Sequence, residues 1–325
     1  MVKTGGSGSG HSARPGPEWV RCFVCLFVLA FLFGGCRPSG SGSGRVRKVV
    51  GVSLLTQTHA FYKELEQAMR TAAGQRGFDL LVSACEMDPA KQAAQVEDFV
   101  AQKVDALVVA PCDSSAIVPH LRGAEDAGIP VFTVDIAAHG GKIVSHIASD
   151  NVAGGRLAAQ TLARLIGEQG DVIIIDHPEV ASVQDRTKGF DEDIRRFPNI
   201  HVVGRPSASG QRAKAMAIME DMLQTHKRLK GIFAINDDSA LGALSVLNAA
   251  HRTDVVIVGF DATAEAQEAI RRDGPLKADI AQHPTQIGTT TIDEVARYFN
   301  GESVPAVVAV PVSVVDAKTL AAPIK

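Results

Sequence analysis

The pattern that most restricts this chain is an alternation of short apolar runs with helical stretches, with no tight-turn signal that would fold neighbouring runs into hairpins. Lys48 to Leu55 is continuously apolar in its middle, as a strand covered on both faces should be. From Phe61 to Arg76, Phe61, Leu65, Met69 and Ala73 fall four apart, which predicts a helix stopped by Gly77. Phe78 to Val82, Val104 to Ala110 and Ile129 to Val134 are the next strands. Between them, Asp88-Pro89 opens one helix, and another around Ala116 to Ala127 ends at Gly128. Strand, helix, strand, helix in this order predicts a parallel, doubly wound α/β sheet.

At Ser145 to Gly155 an alternating strand meets a polar corner, and two glycines then open a long amphipathic helix. The pattern restarts there, so the stretch reads as a crossing between two lobes. Leu157, Leu162, Leu165 and Ile166 mark a helix and Asp185 to Phe197 another. Val172 to Ile175, His201 to Gly204, Gly231 to Ile235, Asp254 to Gly259 and Leu276 to Ala281 are strands. Ile129 to Asp135 and Val255 to Asp261 are similar strands ending in aspartate, 126 residues apart. Two similar lobes explain this echo more simply than one large sheet, the alternative being chance similarity between buried strands.

Charge narrows the partners. The first 44 residues hold Lys3, Arg14, Arg21 and Arg37 against Glu18, which leaves 29 basic and 35 acidic side chains in the remainder. An acidic body argues against a nucleic-acid partner. Cys22 to Phe33 is an apolar run of 12 residues, which fits an export signal and is too short to span a membrane. Gly34-Gly35-Cys36 resembles a lipoprotein cleavage box, so Cys36 is a lipidation candidate, and Pro38 to Gly44 would be a flexible tether. An ordinary cleaved signal is the alternative. Cys85 and Cys112 follow strands expected on opposite sides of the first strand, so two separate buried thiols are expected rather than a disulfide.

Ligands of open α/β sheets bind beyond the carboxyl ends of strands. Asp135, Asn236, Asp261 and Gln282 each lie at or just after such an end. Any one of them could simply cap the next helix; four together predict a polar pocket between facing lobes. Carboxylates and amide oxygens accept from sugar hydroxyls while arginine and amide N–H groups donate to them, so the chemistry suits a polyol. Arg186 is the candidate cation. Phe61 and Tyr62 offer an apolar face for the C–H surface of a sugar, although Phe61 could equally be helix-face core.

From about Lys48 to its end the chain resembles the type I periplasmic pentose- and hexose-binding proteins of ABC importers, and most closely the D-ribose-binding family. Ser145 to Gly155, Asn236-Asp237 with Ala240 to Leu244, Val258 to Asp261, and Ile280 to Gln282 with Gln286 to Gly288 carry the resemblance. It implies two doubly wound parallel-sheet lobes joined by a three-segment hinge, with crossings at Ser145 to Gly155, near His283 and near Pro311. Residues 45–149 plus 283–310 would form one lobe, 150–282 plus 311–325 the other, and 1–44 the signal and tether. It also implies ligand contacts from His59, Phe61, Tyr62, Asp135, Arg186, Asn236, Asp261 and Gln282, with Ile136 beside them. Asp150, Asn151, His283 and the paired glycines would belong to the hinge. Ribose binders of the family carry arginine at the position of Ile136, asparagine at that of His59 and an aromatic near Ser209, differences able to change the preferred sugar.

The implied function is capture of a monosaccharide, ribose or a related pentose or hexose, and delivery to an ABC permease in the inner membrane. A protein feeding a chemoreceptor or sensor kinase is a compatible alternative. The expected protein is an exported monomer with no cofactor and no metal. No metal-ligand spacing, nucleophile elbow or phosphate loop marks the body as an enzyme. Effector domains of the lactose-repressor class share the two-lobed fold, but a DNA-binding helix-turn-helix would stand where the export signal stands.

Overall fold

The structure, a computed structural model, describes residues 47–322. The export segment and Cys36 lie outside the described residues. The first lobe builds its sheet from β1 (Lys48–Leu54), β2 (Phe78–Ala84), β3 (Ala106–Val109), β4 (Val131–Val134) and β5 (Ile143–Ser149), with helices α1 (Ala60–Arg76), α2 (Pro89–Ala101) and α3 (Val118–Asp126) between. The chain continues through α4 (Asn151–Leu165), β6 (Gln169–Ile175), α5 (Ala181–Ile194), β7 (Asn199–Gly204), α6 (Arg212–Thr225) and β8 (Leu229–Ala234). It goes on with α7 (Asp237–Ala249), β9 (Val256–Asp261), α8 (Ala264–Arg271), β10 (Leu276–Ala281), α9 (Pro284–Phe299), β11 (Val307–Val310), β12 (Ser313–Asp316) and α10 (Ala317–Ala321).

Two sheets result, ordered β11-β5-β4-β3-β1-β2 and β12-β10-β9-β8-β6-β7. The orders correspond strand for strand, and β4 and β9, the two strands of the sequence echo, occupy the same place in each. The chain passes between sheets at Ser149–Asp150, around Gln282–His283, and at Pro311–Val312. Among the described residues every strand pairing is parallel except β10 with β12, a departure from the all-parallel expectation. Its cause is the third crossing. β10 runs toward the crossing region and leaves the sheet there, whereas β12 enters the sheet from that side and so points the opposite way.

Local signals explain the ends. Asp88 caps α2 by accepting from the N–H groups of Ala90 and Lys91 at 2.9 and 3.2 Å. Gly77 closes α1 at φ +74°, donating its N–H to carbonyls of the last turn. Val50, Val52, Leu54, Val108 and Phe132 are fully buried in the first sheet, with Leu65 of α1 against them. In the second lobe Phe190 of α5 stacks on Phe233 of β8, with centroids 4.8 Å apart.

Two expectations are corrected. Cys85 and Cys112 are joined in a disulfide rather than standing as separate thiols. Strands β2 and β3 do flank β1, which alone would hold them about 10 Å apart. The segments that follow both bend inward over the end of β1, where Cys85 N–H donates to Leu54 and Ala110 N–H to Ser53, bringing the two Cα atoms to 7.2 Å. The second concerns the glycines at 154 and 155, expected in the hinge, which are helical rather than part of the crossing itself. They lie inside α4, where a Cβ at Gly155 would run into the carbonyl oxygen of Arg186 and one at Gly189 into that of Val152. Gly155 and Gly189 let the backbones of α4 and α5 touch.

Candidate ligand-binding site

The carboxyl ends of the two sheets face each other across a small cavity. All nine residues singled out from the sequence, His59, Phe61, Tyr62, Asp135, Ile136, Arg186, Asn236, Asp261 and Gln282, line it. The lobes touch around it. Ser114, buried after β3, donates its N–H to the carbonyl of Glu179 at 3.1 Å and accepts through Oγ from the N–H of Ala181 at 2.8 Å. Elsewhere on the cleft His59 Nε2 lies 3.4 Å from Asp238 Oδ2.

Asp135 leaves β4 in the left-handed region at φ +62°, a conformation aspartate tolerates better than most side chains. The Tyr62 hydroxyl donates to its Oδ2 at 2.5 Å, while its Oδ1 is buried and has no partner. Burial pushes the Asp135 carboxyl up, opposed by Arg186 and by the Tyr62 hydrogen bond. Burial likewise holds the Tyr62 phenol well above its ordinary value, with the Asp135 charge adding to the effect.

Arg186 is 4 % exposed, and three groups fix it. Its Nε donates to Asn151 Oδ1 at 2.9 Å, its Nη1 to the Ile235 carbonyl at 2.7 Å, and its guanidinium carbon sits 3.9 Å from the centroid of Phe260. The backbone contact through Gly155 sets the depth of the same residue. Asn151 therefore positions a cation of the site, and Asp150 caps α4 by accepting from the Ala153 N–H at 3.0 Å.

On the facing strands, Gln282 Nε2 donates to Asp261 Oδ1 at 2.7 Å and Ser149 Oγ donates to Gln282 Oε1 at 2.6 Å. Two crossings are thereby tied to each other and to Asp261. Asp261 has φ +121°, and burial, reinforced by the nearby Asp237 charge, holds its carboxyl well above the usual carboxylate range. Asn236 serves twice. Its Oδ1 caps α7 through the Ser239 N–H at 3.1 Å and its Nδ2 donates to the Gly210 carbonyl at 3.0 Å, while the residue borders the cavity. Desolvation lowers the His59 imidazole against the opposing pull of Asp238 and Glu86. His283 sits immediately before Pro284, at the head of α9.

Sequence reasoning missed His177, Met87 and Ser182, which also border the cavity. His177 follows the end of β6 and was open to the same strand-end rule as Asp135. Met87 carries no polar signal, and it reaches the cavity through a turn with φ +62°. Gly210 stands next to Ser209 at the wall; a Cβ there would come within 3.3 Å of Asn236 Nδ2 and 3.4 Å of His177 Nδ1. Arg186, Asp135 and Asp261 give the cavity groups that both accept and donate hydrogen bonds.

Two α/β lobes facing each other across a polar cavity, with three chain crossings, define the class as a bilobal ligand-binding fold. The family model of the periplasmic binding protein domain matches residues 50–303, and the chain belongs to the type I periplasmic sugar-binding proteins. It is 33% identical over 297 residues to the ribose import binding protein of Bacillus subtilis, covering 89% of this chain and 96% of that one. An ABC transporter solute-binding protein of Mycobacterium smegmatis with bound glycerol superposes with a TM-score of 0.80 at 35% identity, covering 84% of this chain and 96% of that one. One from Actinobacillus succinogenes with bound D-allose superposes at 0.78 with 28% identity, covering 84% and 99%. Family members are transport proteins that bind substrates.

Proposed function

We propose that this chain is an extracytoplasmic substrate-binding protein that captures a monosaccharide, ribose or a related pentose or hexose, between its lobes and delivers it to an ABC sugar permease. The observation that carries the reading is the convergence of Asp135, Arg186, Asn236, Asp261 and Gln282 from both lobes and a crossing on one cavity. Carboxylates accept hydrogen bonds from ring hydroxyls and Arg186 donates to their oxygens. Phe61 gives the C–H face of a ring an apolar surface.

The polar groups are unevenly shared. On the wall of the first lobe the Tyr62 hydroxyl is engaged by Asp135 and His59 faces Asp238, which leaves Asp135 Oδ1 as the acceptor open to a ligand hydroxyl. Leu55, Met87 and Ile136 complete that wall. A hydroxyl held against Ile136 has no donor there, at a cost of about 1–3 kcal/mol, so the sugar is selected by where it lacks hydroxyls as well as where it has them.

Residues 45–149 with 283–310, and 150–282 with 311–325, would turn against each other about the three crossings. Ser114 would meet the 179–181 segment only in the closed form, which would be the form that docks on the permease. Cys36 would tether the exported protein to a membrane. Isothermal calorimetry against ribose, other pentoses, hexoses and their alditols tests the reading: at least one should bind with micromolar or tighter affinity, and no binding across the panel contradicts it.

A further inference from the structure

Behind Asp261 lie two carboxyl groups that the binding site does not use. Asp237, in the first turn of α7, is 3 % exposed, and Asp279, on β10, is fully buried. Asp237 Oδ2 accepts the N–H of Thr263 at 2.7 Å, and Asp279 Oδ1 accepts the N–H of Ala262 at 3.1 Å. Their remaining oxygens, Asp237 Oδ1 and Asp279 Oδ2, are buried without a partner, although the two carboxyl groups lie within hydrogen-bonding reach of each other. Gly259 gives the Asp279 carboxyl its room, because a Cβ there would collide with Oδ2.

Two ionised carboxylates cannot share a dry contact: each is an acceptor, and their charges repel. One proton resolves both orphan oxygens at once. We infer that Asp237 and Asp279 share a single proton as a carboxylic acid–carboxylate pair, and that this pair is the positioning element that holds Asp261 toward the ligand cavity.

The backbone shows why such an element is needed. Asp261 and Ala262 are consecutive non-glycine residues at φ +121° and +56°, a conformation that persists only where surrounding contacts impose it. The pair takes the N–H groups of Ala262 and Thr263. The Asp237 N–H also donates to Asp261 Oδ2 at 3.3 Å, and Gln282 N–H donates to the Asp261 carbonyl at 3.2 Å. Asp238 on α7 and Asp261 on β9 are the other ionisable groups that face the pair, and Asp261 in turn faces Arg186 on α5 and Tyr62 on α1. Arg186 is the one cation among them and is already engaged by Asn151 and Ile235. Burial holds the Asp237 and Asp279 carboxyls above the usual carboxylate range, in keeping with retention of the proton. Loss of that proton at high pH would place a second charge in the contact, push the carboxyls apart and release the strained turn.

The test has an arm independent of any sugar. Infrared spectroscopy of the ligand-free full chain at neutral pH should show a protonated-carboxyl carbonyl band that disappears in Asp279→Asn, whose amide supplies a permanent donor in place of the acid. Asp237→Asn is the second variant should Asp279→Asn fail to fold. A difference spectrum without loss of a carboxylic acid in the folded variant overturns the proposal, whatever the ligand is. The consequence for binding rests on the reading of the cavity as a sugar site. With a sugar that binds, Asp279→Asn should stay within about threefold of wild type at neutral pH and lose the fall in affinity on the alkaline side, while Asp279→Leu weakens binding about tenfold or more. An alkaline limb unchanged in Asp279→Asn, or wild-type affinity in Asp279→Leu, overturns the positioning role.

Discussion

Asn151, the first residue of the helix that follows the first crossing, accepts a hydrogen bond from Arg186 Nε through its Oδ1 at 2.9 Å. Its Nδ2 donates back to the Ser149 carbonyl at 3.1 Å, so the crossing and the site's cation form one rigid unit. Asn151→Ala removes a bond to a buried charge, worth about 1.5–3 kcal/mol, and ligand affinity should fall tenfold or more in calorimetry. Asn151→Asp keeps the acceptor and should recover most of the loss. Equal affinities for the alanine variant and wild type would show that Arg186 does not depend on this partner.

Ser114 is the clasp between lobes. Ser114→Ala removes the acceptor for the Ala181 N–H and leaves the backbone bond to Glu179 in place. One intramolecular hydrogen bond contributes about 0.5–1.5 kcal/mol, so the closed form should be depopulated by a factor between about 2 and 12. Ligand dissociation in stopped-flow measurements should speed up by that factor with little change in association. A change confined to the association rate would place Ser114 outside the closing step.

The α4–α5 contact has no slack. Gly155→Ala drives a methyl group into the Arg186 carbonyl and should cost about 1–3 kcal/mol of stability, together with a loss of ligand affinity because Arg186 is displaced. Gly189→Ala acts on the same interface, so the double variant should lose less than the sum of the two. Chemical denaturation measures both, and a Gly155→Ala protein as stable as wild type contradicts the packing described.

Stability should also fall with mild acid. His146 on β5 shares a hydrogen bond with Thr133 Oγ1 at 2.9 Å, and desolvation pushes its imidazole from 6.5 down to about 4. A histidine lowered in the folded state contributes stability that is fully present above about pH 6.5 and lost as the pH falls toward 4, because the unfolded chain takes the proton first. The loss is on the order of 2 kcal/mol after allowance for partial exposure. His146→Gln should flatten that part of the stability profile. Parallel curves for variant and wild type between pH 7 and 4.5 would assign the acid sensitivity elsewhere.

The site was legible where its chemistry follows from strand ends. Asp135, Asn236, Asp261 and Gln282 stand at the carboxyl ends of β4, β8, β9 and β10, a position that periodicity alone identifies. Arg186 is a cation in the first half of a helix, against the helix dipole, and its buried bonds to Asn151 and Ile235 supply the compensation. Features that depend on two distant segments meeting were not legible. Gly155 and Gly189 are 34 residues apart, and nothing local says that α4 and α5 touch through them. Cys85 and Cys112 pair because two loops bend, which strand order does not reveal. The antiparallel β12 follows from where the third crossing delivers the chain, and Met87 enters the cavity through turn geometry rather than through any polar pattern.

The most direct measurement is calorimetric titration of wild type and Asp261→Ala with the tightest-binding sugar of the panel. Removing Asp261 takes away the partner of Gln282 and, on the proposed reading, a buried acceptor for ligand hydroxyls, and the affinity should fall by about two orders of magnitude or more, with folding retained by circular dichroism. Affinity equal to that of wild type would remove Asp261 from the site and, with it, the claim that a sugar is held between these strand ends.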